Sequence, residues 1–126
     1  MPAFIVDTYA WIDYFRGGAN SAKLKTVLEG GGNITPTIVL AELRRKYVKE
    51  GIQGFDSDLA YIGRKSNVVD LDERTAVLAG EIKATLPSSH GMGLVDCILL
   101  AHAKLTGSKV LTGDKHFVGL LEAEMV

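Results

Sequence analysis

Four carboxylates in this chain sit where an acidic side chain needs a reason. Asp7 closes the apolar run of "FIVDTYAW", Glu42 lies in "VLAELRRKY", Asp96 in "GLVDCILLAHA" and Asp114 in "LTGDKHF". Asp96 is the least expected of them. Nearly every residue from Leu94 to Ala103 is apolar, with Leu99 and Leu100 stacked on the helical face that Asp96 shares. A lone ionised carboxylate in that company is costly unless something compensates it. If the four acids converge, each pair about 4 Å apart repels by roughly 4 kcal/mol at an effective dielectric near 20, so protons or cations must reside among them. Oxygen donors without Cys or His suit a hard cation, Mg²⁺ or Mn²⁺, which keeps several waters and accepts substrate phosphates. One or two such ions orient a water, promote its deprotonation and stabilise charge during in-line displacement at a phosphate. A divalent ion is therefore the partner expected for Asp96, helped by the dipole of its helix N-terminus.

Each acid also has a plainer reading. Asp7 reads as a helix cap, Glu42 as a solvated residue paired with Lys46 one turn on, and Asp114 as ordinary turn chemistry. Convergence is what would lift them above these readings, and convergence depends on the elements that carry them.

"AFIV" reads as a short buried strand ending at Asp7, and "TYAWIDYF" as a helix opened by Thr8 and stopped at Gly17 and Gly18. "SAKLKTVLEGGG" is a second helix, capped by Asn20 or Ser21, and "NIT" a second strand. After Pro36, "TIVLAELRRKYVKEG" places apolar residues at 39, 40, 43 and 47, one helical face. "FDSDLAYIGRKS" is a further helix, "NVVDL" a third strand, and "DERTAVLAGEIKATL" a long helix with Asp72 at its start. Pro87 breaks that helix, "SSHGMG" is a flexible loop into the buried helix of Asp96, "SKVLT" is a fourth strand and "GDKH" a turn. Strands alternating with helices predict a parallel sheet covered on both faces, whose ligands bind beyond the carboxyl ends of the strands. Asp7 and Asp114 follow strand ends, and the helices of Glu42 and Asp96 both start at that edge. All four acids are thus expected at one rim.

Composition limits the alternatives. With 126 residues, 47% hydrophobic and 23% charged, the chain is expected to be one domain with a real core rather than disordered. A net charge of −1 gives no overall preference for nucleic acid, so any basic surface must be local. Cys97 is the single cysteine, which precludes an internal disulfide and suits a reducing cytoplasm. "MPAFIVDTYAW" lacks the basic segment of a secretory signal, and no apolar run approaches the roughly 18 residues of a membrane span.

The segments "FIVDTYAW", "PTIVLAELRRKY" and "GLVDCILLAHAKLTGSKVLTGDKHF" together resemble the successive motifs of PIN domains, in particular VapC-type toxins of toxin–antitoxin pairs, over nearly the whole chain. The resemblance implies a PIN-like three-layer α/β fold with four or five parallel strands. It matches Asp7, Glu42, Asp96 and Asp114 to the family's metal-binding and catalytic acids, Thr112 to the hydroxyl that supports the first acid, and Thr8 to a position often Ser or Thr. It further implies Mg²⁺- or Mn²⁺-dependent cleavage of RNA, a homodimer, and inhibition by a small antitoxin. The tail "VGLLEAEMV" departs from the pattern, being short and acidic where the family ends in an apolar strand.

Other residues invite chemistry less well. Cys97 reads as a small buried hydrophobe, since His102 is off its helical face, and His90, His102 and His116 lack zinc-site spacing. Trp11, Tyr14 and Phe15 are expected to pack the core or an interface, with exposed aromatics of the first helix forming a partner groove beside the second. Asp13, Asp56, Asp58 and Asp72 read as solvated or capping. Arg44, Arg45, Lys46 and Lys49 flank Glu42 and read either as an exposed face or as contacts to an RNA backbone. A haloacid-dehalogenase-type phosphatase would need a second Asp where Tyr9 stands, and a receiver domain would need an acid beside Asp7. An RNA-processing nuclease without an antitoxin and an inactive PIN-like binding module are the remaining alternatives; the intact acid set opposes the second.

Overall fold

The computed structural model describes residues 4–126. Ala3, expected to begin the first strand, lies outside the described residues. Five strands, β1 (Phe4–Val6), β2 (Asn33–Pro36), β3 (Ser66–Val69), β4 (Lys109–Thr112) and β5 (Ala123–Met125), form one sheet in the order β3-β2-β1-β4-β5, every pairing parallel. Six helices connect them: α1 (Thr8–Arg16), α2 (Ser21–Glu29), α3 (Thr37–Glu50), α4 (Phe55–Lys65), α5 (Glu73–Thr85) and α6 (Leu94–Thr106). The expected α/β architecture is present. No helix among the described residues is long and apolar enough to cross a membrane.

The central strands carry the core. Ile5 and Val6 of β1 and Val110 and Leu111 of β4 are inaccessible to solvent, and α6 is buried at every residue from Cys97 to Ala103, packed between α5 and the sheet. Burial on both faces is why these strands are continuous apolar runs with no polar alternation.

Several boundaries differ from expectation for local reasons. Thr8 does not cap α1; Asp7 does, its Oδ1 accepting the Ala10 N–H at 2.8 Å. Asn20 precedes α2 without a side-chain capping bond. "SSHGMG" is not wholly irregular, because Ser88–His90 form a 3₁₀ turn. Strand β3 begins one residue early, at Ser66, and stops at Val69.

The acidic tail does form the fifth strand. Its glutamates are accommodated at the sheet edge by lysines of flanking helices: Lys104 lies 3.1 Å from Glu122 and Lys23 3.3 Å from Glu124. Ala123 and Met125 meanwhile pack on the core. Charges on an edge strand also discourage pairing with another chain.

Trp11 packs in the core, as expected. Its ring is fully buried and its Nε1 donates to Thr35 Oγ1 at 3.1 Å, while Tyr14, Phe15 and Tyr61 surround it. The exposed aromatic of that helix is Tyr9.

Candidate metal centre

One cleft at the carboxyl edge of the sheet is lined by Asp7, Glu42, Asp96 and Asp114 together, with Thr8 and His116 beside them. The chain reaches this rim four separate times, and a different local device holds each acid.

Asp7 leaves β1, where its N–H still bonds Leu111 O, and turns its carboxylate under α1 to cap that helix. Thr112, at the end of the neighbouring β4, accepts the Asp114 N–H at 2.9 Å and gives its hydroxyl hydrogen to Asp7. Asp7 is only 3% exposed. That burial pushes its carboxyl up to about 7; the bonds from Thr112 and Ala10 oppose the rise, and the charges of Asp114 and Asp96 add to it. Capping and site membership are therefore both true of Asp7.

Asp96 occupies the first turn of α6. Its Oδ2 accepts one long bond, 3.3 Å, from the N–H of Gly93, a residue with no side chain to cap the helix in return. Half-burial raises its pKa first and the nearby Asp114 second; Glu42 raises it less, and Gly93 and His116 pull it down. Asp114 opens the 3₁₀ turn Lys115–Phe117 by accepting the His116 N–H at 2.9 Å. Glu42 Oε1 accepts the Thr8 hydroxyl at 2.8 Å, tying α3 to α1. The expected pairing of Glu42 with Lys46 is not made. Lys46 instead lies 2.8 Å from Glu50, its own i+4 neighbour, which also takes Arg16 at 3.0 Å.

Arg45, Lys46 and Lys49 line the same cleft, whereas Arg44 does not. Its guanidinium lies 4.8 Å over the Phe55 ring on the other side of α3. Helical geometry explains the division: 3, 4 and 7 residues after Glu42 return to its face, and 2 residues turn about 200° away from it.

His116 belongs to this site although no histidine in the chain shows zinc-type spacing. Asp96, Asp114 and His116 each offer one ligand atom within 4.8 Å of the others. The signal in the sequence is the two-residue step from Asp114 in "GDKHF", which a 3₁₀ turn folds back on itself. The plainer readings hold elsewhere. Cys97 is buried and its thiol is pushed up by desolvation. His102 is buried and held below the usual imidazole range by the same cause. Asp72 caps α5 through Thr75, and Asp58 accepts the Tyr47 hydroxyl.

The donor set fits a divalent ion. A nearly buried carboxylate and three more acids at the same rim form a hard, anionic ligand group whose mutual repulsion a cation would relieve, with one imidazole beside them.

A family model for the PIN domain matches residues 4–120. Among solved structures, a toxin–antitoxin complex from Klebsiella pneumoniae superposes with a TM-score of 0.74 at 22% identity, covering 98% of this chain and 97% of that one. DNA-bound VapBC from Salmonella typhimurium gives 0.72 at 22% identity over 100% and 98% of the two chains. The sarcin-ricin-loop-cleaving toxin VapC20 of Mycobacterium tuberculosis gives 0.69 at 18% identity over 95% and 98%. No curated protein sequence matches significantly. At these identities the structural likeness speaks for the fold.

Proposed function

The chain belongs to the PIN domain family, and from that premise we propose that it is a Mg²⁺- or Mn²⁺-dependent endoribonuclease, the toxin of a toxin–antitoxin pair acting in the cytoplasm as a homodimer. The observation that carries the reading is the meeting of Asp7, Glu42, Asp96 and Asp114 in one cleft, with Asp7 buried. These four carboxylates would hold one or two divalent ions, which when bound supply charge neutralisation at a phosphate and polarisation of the attacking water. The chain's own residues do the rest. Thr112 orients Asp7, Thr8 orients Glu42, and burial of Asp7 favours its protonated form, which a bound cation would oppose.

RNA as the proposed substrate is supported by the sarcin-ricin-loop cleavage of the VapC20 neighbour and by the basic residues that flank Glu42 in the cleft. Arg45, Lys46 and Lys49 share the cleft-facing side of α3 with Glu42 and so bring positive charge beside the acids, the charge that a phosphate backbone requires. The test is cleavage of RNA and of single-stranded DNA with Mn²⁺, with Mg²⁺ and with EDTA. Metal-dependent RNA cleavage is expected; robust cleavage persisting in EDTA would reject the proposal.

The basic wall gives a prediction of its own. Arg45→Ala with Lys49→Ala is expected to weaken RNA binding in EDTA and to lower the slope of log affinity against log salt by about 1.4, roughly 0.7 per phosphate contact. Arg44→Ala should leave both unchanged. Fluorescence anisotropy across a KCl series checks this, and equal effects of all three residues would dissolve the distinction between the two faces of α3.

Two of the similar structures are toxin–antitoxin complexes, which supports an antitoxin partner here. Between α1 and α2 a groove lined by Tyr14, Phe15 and Ala22, with Ser21, Lys25 and Glu29 beside them, offers a mixed apolar and charged seat for it. An antitoxin arginine reaching the acids would pair bidentately with a carboxylate and compete with the metal. Sedimentation of a strict monomer at high concentration would reject the dimer.

A further inference from the structure

We propose that Nδ1 of His116 is a direct ligand of the divalent ion in this cleft and that this nitrogen makes the site prefer Mn²⁺ to Mg²⁺. The inference rests on the metal-dependent reading above and deepens it.

Three observations fix the imidazole. The His116 backbone N–H donates to Asp114 Oδ1, which sets residue 116 against that carboxylate. Its Nε2 is turned to Gly91 so closely that a Cβ built there would lie 3.0 Å from it, at a φ of 83° that favours glycine. Nδ1 is thereby left facing the acids, 3.2 Å from Asp114 Oδ1. Gly91 stands on the segment that leads into α6, so the same few residues place the imidazole and Asp96 relative to each other. Adjacent ligands about 2.1 Å from an octahedral ion stand about 3 Å apart. The Nδ1–Oδ1 separation matches such an edge.

The chemistry supplies the preference. Mg²⁺ favours oxygen donors almost to the exclusion of nitrogen, whereas imidazole is an acceptable ligand for first-row transition ions. An all-carboxylate site would treat Mg²⁺ and Mn²⁺ alike except in radius. Replacing one oxygen by Nδ1 tilts the site toward Mn²⁺.

The test uses the full chain stripped with EDTA and dialysed, titrated calorimetrically with MnCl₂ and with MgCl₂. Electron spin echo spectra of the Mn²⁺-loaded parent should carry directly coordinated ¹⁴N modulation. In His116→Ala that modulation should vanish and Mn²⁺ affinity should fall about 10–100-fold, while Mg²⁺ affinity changes less than about twofold. His116 is partly exposed and contributes nothing to the core, so the variant should fold, and the parent spectrum decides the ligand in any case. Equal losses for both ions with no nitrogen coupling in the parent would overturn the proposal while leaving the four-acid metal site standing: His116 would then only steady Asp114. Failure of the parent to bind either ion would overturn both.

Discussion

Asp96→Asn is expected to lower RNA cleavage by at least about 10³-fold, close to 4 kcal/mol of barrier, while the metal-free protein melts no lower than the parent. The two effects separate because the carboxylate has so little protein support. Its hydrogen bond to the protein is one 3.3 Å contact from Gly93, which an asparagine oxygen can still accept. Against that bond stand burial and the charges of Asp114 and Glu42, all of which disfavour the ionised form. An acid satisfied by the protein would behave oppositely, losing about 1–3 kcal/mol when its partners go unpaired. Excess Mn²⁺ stabilises the parent by mass action, and that effect should shrink in the variant. Melts of both proteins in EDTA and in Mn²⁺ decide the matter. A variant that melts lower in EDTA yet keeps the full Mn²⁺ stabilisation would remove Asp96 from the ligand set.

The metal-free parent should lose stability as pH rises through neutrality, and Asp7→Asn should abolish most of that loss. Burial raises the Asp7 carboxyl from 3.8 to about 7, so the folded state binds its proton more tightly than the unfolded state. The resulting stabilisation is complete below the unfolded value near 4 and is gone once pH passes the folded value near 7. A tenfold difference in proton affinity is worth about 1.4 kcal/mol, so between pH 5 and pH 8 the expected decline is about 2–3 kcal/mol. Urea denaturation in EDTA at both pH values measures it. Saturating Mn²⁺ should reverse the trend, since it requires the ionised form. A parent that is flat or more stable at pH 8 without metal would show that Asp7 stays ionised in the fold.

Much of the site was legible because its determinants are local. The step from "FIV" to Asp7, the Pro36 start of α3 and the apolar length of α6 each follow from short-range periodicity and backbone chemistry. The order of strands and helices then brings the four acids to one edge. Other features were legible only in part. The separation of Arg44 from Arg45, Lys46 and Lys49 was available from helical arithmetic, but the Phe55 ring that Arg44 covers comes from another helix.

The sequence by itself determined the α/β alternation and which carboxylates meet, because period and connection direction are written along the chain. Tertiary structure decided their partners. Thr8 and not Lys46 contacts Glu42, since α1 and α3 pack side by side while Glu50 draws the lysine one turn further along. The acidic tail becomes a strand because it pairs with β4 and packs Ala123 and Met125 on the core, while Lys23 and Lys104 offset the charge of its glutamates. His116 enters the cleft through the close approach of Gly91. Apart from the i+4 pair of Lys46 with Glu50, these contacts join segments well separated along the chain, which no local pattern encodes.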